Sequence, residues 1–292
     1  MPELPEVEFA RRVLEGLLRG AAIEAVRVLD PRILDEGARP RTVVARLTGR
    51  RVEAVERRGK WLRIVLDRGL LFSHLGMTGK WVRGDGDSNE PIRFERVRID
   101  AKRGRAQVSV RYADSRLFGR FVVTDETLPS WAELGADPLQ DGIDVDALFA
   151  ALSRRKVAIK PALLDQTLLA GIGNIQATEA LFFARIDPRS PSSALSRADV
   201  GALAKGIFRS IEATLEHQKG EAIRYVEEPG ADNPFTIYGH EGERCPRCKR
   251  TVLSKVVLGG RGTVFCRRCQ RIRGAPLAPK VPSRVGTRAA SK

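Results

Sequence analysis

The opening of the chain carries a helical period. Val7, Ala10, Leu14 and Leu17 recur three and four residues apart, with Arg11, Arg12 and Glu15 on the other side. That spacing gathers an apolar stripe on one face and predicts an amphipathic helix over about Glu6–Arg19, stopped by Gly20. From Ala21 to about Thr124 the period drops to two. Leu62, Ile64 and Leu66 alternate with polar partners, as do Val97 with Ile99, and Val108, Val110 and Tyr112. Turn signals such as Asp67-Arg68-Gly69 and Gly84-Asp85-Gly86-Asp87 separate these runs. Several short alternating strands predict an antiparallel sandwich or barrel. Leu134-Gly135-Ala136-Asp137-Pro138-Leu139 reads as a connection, and a helical period returns from about Val145 to Gln218. The expected class is α+β in two domains. An N-terminal antiparallel β-sandwich with a leading helix occupies 1–133, a linker 134–144 and a helical domain 145–242. A cysteine-bearing hairpin covers 243–273, and 274–292 reads as a disordered basic tail.

Composition narrows the partner. The 292 residues suffice for two domains with their own cores, and the 42% hydrophobic content fits a globular chain. A net charge of +15 points to a polyanion. A solvated basic surface or a preference for lipid headgroups would give the same charge. No apolar run approaches the roughly 18–20 residues of a membrane span. The polar, acidic start does not read as a signal peptide, so a cytoplasmic location is expected.

The four cysteines form two Cys-x-x-Cys pairs, Cys245/Cys248 and Cys266/Cys269, with 17 residues between them. That spacing suits four thiolates around one tetrahedral zinc, two knuckles joined by a hairpin. Four sulfur ligands leave no open coordination position, so the zinc is structural. Arg261 lies at the hairpin tip, in Gly259-Gly260-Arg261-Gly262-Thr263, among Arg247, Lys249, Arg250, Lys255, Arg267 and Arg268. An arginine there can enter a groove or bracket a phosphate; a solvated tip would look the same.

The first residues carry the sharpest chemistry. Removal of Met1 makes Pro2 a free secondary amine, with Glu3 beside it and Glu6 one helical turn on. Such an amine can attack an electrophilic carbon and hold it as a cationic iminium. Further along, Gly171 and Gly173 precede Asn174, which reads as an N-cap for the next helix. A glycine-rich turn feeding a helix N-terminus suits a phosphate, and Lys156 and Lys160 precede it. An ordinary helix corner would carry the same glycines. Met77, in His74-Leu75-Gly76-Met77-Thr78-Gly79, and Phe118, in Asp114-Ser115-Arg116-Leu117-Phe118-Gly119, lie in turns. Either could wedge between stacked bases or belong to the core.

Taken together, MPELPEVE, RRGKWL, HLGMTG, DSRLFG, LLDQTLLAGIGNI, YG followed by CPRC, and GGRGTVFCRRCQ resemble the formamidopyrimidine-DNA glycosylase (Fpg) family, in its order. Leu4 within MPELPE favours the Fpg branch over its Nei relatives. The resemblance implies a monomeric base-excision-repair glycosylase with AP lyase activity on damaged double-stranded DNA. It implies a helix–two-turn–helix element and a zinc finger in the C-terminal domain. Pro2 becomes the nucleophile, Glu3 the general acid/base, Glu6 a supporting group and Lys60 a phosphate contact near the lesion. Met77, Arg116 and Phe118 become the residues that fill the gap left by an everted base. Lys160, Asn174 and Arg261 become phosphate anchors.

The chain also departs from the family pattern. Gln176 stands where tyrosine is usual, His240 where arginine is usual, and Leu117 where a basic residue is usual. Residues 227–234 replace a glycine-rich loop with an acidic one bearing two prolines. An altered lesion preference is therefore expected. Two other readings keep only binding: a non-catalytic damage sensor, and a zinc-ribbon RNA binder. The first leaves Pro2, Glu3 and Lys60 without purpose, and the second leaves the whole N-terminal motif unexplained.

Overall fold

Helix α1 (Leu4–Leu18) starts two residues before the periodicity predicts. Pro5 is compatible with a first turn, where its missing N–H has no intrahelical partner to lose. The Glu3 N–H donates to Glu6 Oε2 at 2.9 Å and ties that turn down. Leu4 lies off the apolar stripe because it packs into the helical domain, whereas Val7, Ala10, Leu14 and Leu18 pack into the sandwich. The computed structural model describes residues 2–84, 92–218, 220, 222–226, 228 and 230–275. The Asp85–Asp87 part of the expected turn, Glu227, Pro229 and the tail beyond Ala275 lie outside these.

After α1 come β1 (Ala22–Val28), α2 (Pro40–Leu47), β2 (Val52–Arg58), β3 (Trp61–Leu66), β4 (Leu70–His74), β5 (Lys80–Gly84), β6 (Glu95–Arg103), β7 (Ala106–Ala113) and β8 (Arg120–Thr124). They form two four-stranded antiparallel sheets, ordered β1-β6-β7-β5 and β2-β3-β4-β8. The alternating residues of the sequence point between them: Leu62, Ile64, Val97, Ile99, Val110 and Tyr112 are all buried in one core. Each such side chain contributes about 1.5–3 kcal/mol by leaving water.

The second domain follows a short α3 (Pro129–Ala132) and holds α4 (Val145–Ser153), α5 (Ile159–Leu163), α6 (Asn174–Phe183) and α7 (Arg197–His217). The turns between α5 and α6 make the helix–two-turn–helix element. Its core of Leu148, Ile159, Leu163, Ile172, Leu181 and Ile207 receives Leu4 from the first domain. The hairpin β9 (Ser254–Leu258) and β10 (Arg261–Phe265) completes the described chain.

Two contacts fix the halves together beside the N-terminus. Fully buried Arg57 at the end of β2 bonds Glu8 of α1 at 3.0 Å and Asp137 Oδ1 at 3.0 Å. Asp137 also accepts the Gly59 N–H at 2.8 Å, which holds the β2–β3 turn carrying Lys60. Leaving either ion of such a buried group unpaired costs several kcal/mol. The segment after α7 then returns to the sandwich: Ile223 and Tyr225 join its core, and Tyr225 Oη donates to the Gly79 carbonyl at 2.6 Å.

Candidate active site

Glu3 crosses from one domain to cap a helix of the other. Its carboxylate accepts the N–H groups of Gly173 (3.1 Å), Ile175 (2.8 Å) and Gln176 (2.9 Å). These are orphan donors of the first turn of α6. The expectation that Asn174 caps this helix is thus corrected: Gly173 is the N-cap, Asn174 is the first helical residue, and the cap group is Glu3. Glycine at 173 leaves room for the Glu3 carboxylate: an added Cβ would collide with its carboxyl carbon and with Lys60 Nζ, so those side chains would have to shift. The Leu4 N–H bonds the Gly171 carbonyl at 3.0 Å, so Pro2 is held against the same turn.

Pro2 is buried and opens on a cleft of about 410 Å³ that Lys60, His74, Met77, Asn174 and Arg261 also line. Sequence residues 2, 60, 77, 174 and 261 are therefore brought together. Lys60 is partly buried, and the dense protein around its ammonium holds its pKa below the usual lysine range against the pull of Glu3 and Glu6. Asn174 Oδ1 is buried without a protein partner, leaving that carboxamide to face a ligand.

His74 is a further member whose motif gave no hint of its state. Its Nδ1 accepts the Gly76 N–H at 3.0 Å and its ring lies 4.9 Å from that of Trp61. Burial, helped by Lys60 and Arg120, pushes its pKa down to about 4. The neutral ring with Nδ1 accepting carries its proton on Nε2. His74 is therefore an uncharged donor in the cleft that Pro2 lines. The sequence signal was available only as a histidine within a strand-end turn.

Glu6 faces the other way, into a smaller cavity of about 100 Å³ with Ile175, Thr214, His217, Tyr225, Asp232 and Phe235. Burial and the neighbouring Glu3 raise its pKa from the ordinary 4.5 to about 7. Part of the acidic loop noted in the sequence forms this wall, and Lys80 pairs with Glu228 at 3.0 Å to hold it on the sandwich.

The loop residues Met77 and Phe118 are not core residues. Phe118 is 52% exposed, and Met77 is half-buried on the ridge between the cleft and a neighbouring pocket that includes Arg116. Asp114 accepts from Thr78 Oγ1 (2.5 Å) and the N–H groups of Arg116 (3.1 Å) and Gly119 (2.8 Å), which fixes both loops. The Arg116 guanidinium stacks 5.0 Å from the Phe118 ring. Leu117 between them has a φ of 57°, a strained value for leucine.

At the metal knuckles the four Sγ atoms lie within 4.8 Å of one another, with Cys245–Cys269 at 3.8 Å and Cys248–Cys266 at 3.9 Å. A tetrahedral zinc with Zn–S near 2.3 Å needs sulfur spacings of about 3.8 Å. Four thiolates this close repel one another unless a cation lies between them. The donor set fits zinc. Gly259 and Gly260 take φ of 55° and 73°, which lets the hairpin turn lie on Pro161 and delivers Arg261 to the cleft.

Lys160, which the resemblance makes a phosphate anchor, is an internal tie in the structure. It is fully buried, and its Nζ donates to Thr178 Oγ1 (2.7 Å) and Thr263 Oγ1 (2.9 Å). It joins α6 to the zinc hairpin, and burial lowers its pKa to about 7. Gln176 is likewise buried against α7 rather than facing the cleft. His240 pairs with Glu243 at 3.0 Å, beside the knuckle.

A sandwich and a helix–two-turn–helix domain close a cationic cleft that Pro2, Lys60 and Arg261 line. The chain matches three family models: the formamidopyrimidine-DNA glycosylase N-terminal domain over residues 1–121, its H2TH domain over 134–225, and a zinc finger found in FPG and IleRS over 242–272. It is 40% identical over 278 residues to a formamidopyrimidine-DNA glycosylase of Stutzerimonas stutzeri, covering 93% of this chain and all of that one. It is 38% identical over 281 residues to that of Geobacillus kaustophilus, at 93% and 100% coverage. Among solved structures, a Lactococcus lactis FPG mutant with DNA containing Fapy-dG superposes with a TM-score of 0.80 at 31% identity, covering 92% of this chain and 100% of that one. The Lactococcus lactis Fpg with DNA containing an abasic site gives 0.79 at 31%, covering 92% and 99%. The chain belongs to the formamidopyrimidine-DNA glycosylase family.

Proposed function

We propose that this protein is a base-excision-repair DNA glycosylase with AP lyase activity, acting as a monomer on damaged double-stranded DNA. The observation that carries this reading is the cleft: a prospective N-terminal amine opens on a cavity lined by Lys60, His74, Asn174 and Arg261. Those side chains suit phosphates, and the amine suits the sugar carbon between them.

The target base lies inside a duplex and has to be flipped out, which costs a few kcal/mol. Met77 and Phe118 fill the gap, and Arg116 meets the opposite strand. Loss of Met1 frees the Pro2 nitrogen. An α-amine titrates near 7.7–8.0, so a useful neutral fraction exists at neutral pH. The nitrogen attacks C1′, and the base leaves with its bonding pair and takes a proton from water. The proton of the Pro2 nitrogen passes to the Glu3 carboxylate, which hands it to the ring oxygen as the deoxyribose opens to the iminium. The iminium acidifies the C2′ proton. Loss of that proton expels the 3′ phosphate, a second elimination expels the 5′ phosphate, and water releases Pro2. The product is a one-nucleotide gap with phosphates on both sides. Glu6, Tyr225, Val226 and the 230–232 stretch hold the base, an oxidised or ring-opened purine. Zinc on Cys245, Cys248, Cys266 and Cys269 keeps Arg261 in place.

No helix among the described residues is long and apolar enough to cross a membrane. A repair enzyme that works on chromosomal DNA would act in the bacterial cytoplasm, at the nucleoid. Duplexes bearing 8-oxoguanine or formamidopyrimidine opposite cytosine test the reading. Free damaged base and ends phosphorylated on both sides are expected; release of no base from any lesion contradicts it. Standard turnover of 8-oxoguanine opposite cytosine would remove the altered preference expected from residues 227–234.

A further inference from the structure

Gln176 sits in the first turns of α6 with its carboxamide fully buried. Its Nε2 donates to Thr214 Oγ1 at 2.9 Å, and its Oε1 accepts from Ser210 Oγ at 2.6 Å. The Thr214 hydroxyl donates in turn to the Ser210 carbonyl at 2.9 Å. Thr214 is a shared wall. It lines the Glu6 cavity with Tyr225, and a small cavity behind it with Ser210 and Phe235. A hydroxyl has one proton and two lone pairs. Here the proton is committed to Ser210 and one lone pair to Gln176. The most that this hydroxyl has left for the cavity is a lone pair: there it could accept a hydrogen bond but not donate one.

We propose that Gln176 is a positioning residue for the base cavity: through Ser210 and Thr214 it holds the Thr214 hydroxyl as a pure acceptor, which favours damaged bases that turn an N–H toward α7. The inference rests on the glycosylase reading and deepens it. Oxidation at C8 or opening of the imidazole ring replaces the bare N7 lone pair of a purine by an N–H. A wall that only accepts therefore separates such lesions from the intact base, whose lone pair would face another lone pair. Gln176 does this without touching the base, because its polar atoms face α7. A network that merely glued α6 to α7 would also be buried and satisfied. It differs in consequence: its loss would weaken every activity in proportion to folding.

The experiment compares two substrates in one protein. Single-turnover base release from an 8-oxoguanine or formamidopyrimidine duplex is measured beside cleavage of a pre-formed abasic duplex, which has no base to meet the wall. Gln176→Met is expected to lower lesion release about tenfold, the worth of one misplaced hydrogen bond. Abasic cleavage should stay within about twofold, the usual margin for independent sites. Ser210→Ala, a smaller change, should move the ratio the same way. Thr214→Val should lower the ratio like Gln176→Met, and the double variant should do no worse than either. A proportional fall in both reactions, an unchanged ratio in both Gln176→Met and Ser210→Ala, or additive losses in the double variant overturns the proposal. Wild-type protein that leaves abasic DNA uncut overturns the glycosylase reading instead, and the inference with it.

Discussion

The two cavities that meet at the N-terminus are built in opposite ways. The larger, about 410 Å³, is bounded by elements tied into regular structure: the β2–β3 turn, the end of β4, the first turn of α6 and the zinc hairpin. Its charged side chains are Lys60 and Arg261. The smaller, about 100 Å³, carries Glu6, His217, Arg224 and Asp232, and much of its wall is the irregular stretch after α7. Pro2 opens on the first and Glu6 on the second, four residues apart in one chain. In the proposed mechanism, grip and chemistry belong to the first side and the choice of base to the less regular second side. The departures from the family pattern at Gln176 and in residues 227–234 fall on the second side. Selectivity can therefore change while the chemistry is kept.

The largest expected effect on the rigid side comes from a single methyl group. Gly173→Ala would place a Cβ 2.3 Å from the Glu3 carboxyl carbon, so Glu3 or α6 has to move. A misplacement of about 1 Å at a catalytic group costs on the order of 100-fold. Base release and abasic cleavage should both fall by that factor with DNA affinity nearly intact. Near-normal turnover would show that Glu3 is not held by α6 in the working state.

Zinc removal comes next. Chelation, or Cys266→Ser, should release the hairpin and Arg261, so binding of all duplexes weakens together and protection of Phe265 and Val264 from exchange is lost. Unchanged binding would separate the hairpin from the cleft. Arg261→Ala is milder. It should weaken lesion and undamaged duplexes alike and reduce the salt slope by about one. A change in lesion preference instead would place Arg261 on the base side of the comparison.

The smallest effect is a pH dependence belonging to Glu6. Its pKa of about 7 lies above the ordinary 4.5, so the native state keeps a proton that the unfolded chain has released between those values. That contribution to stability is complete below about pH 4.5 and is lost as pH rises through about 7. His74, at about 4, works in the opposite direction over pH 4–6.5. The difference between wild type and Glu6→Gln isolates Glu6: wild type should lose melting temperature relative to the variant from pH 4.5 to 7, then run parallel. A pH-independent gap would mean that Glu6 titrates normally.

Alternation at Leu62, Ile64 and Leu66, the helical stripe of α1 and the cysteine spacing are local patterns, and all three lead directly to the sandwich, the helix and the zinc knuckle. The residues that the pattern misread are those whose neighbours come from far away in sequence. Asn174 has the chemistry of an N-cap, yet Glu3, about 170 positions upstream, takes that role. Lys160 has the charge of a phosphate anchor, yet the hairpin folds over it and hydroxyls of Thr178 and Thr263 absorb its protons. His74 shows the same limit, since its tautomer depends on the Gly76 N–H and its charge on burial. Periodicity says which face of a helix is apolar; it does not say which polar residues another domain will cover.

The most direct test of an N-terminal amine as nucleophile is borohydride trapping on an abasic duplex, followed by peptide mapping of the adduct. Protein shown to lack Met1 should be trapped in a stable covalent complex, with the sugar attached to the peptide that begins at Pro2, and Pro2→Gly should lose that adduct. An adduct on the peptide carrying Lys60, or no adduct from protein that lacks Met1, would contradict it.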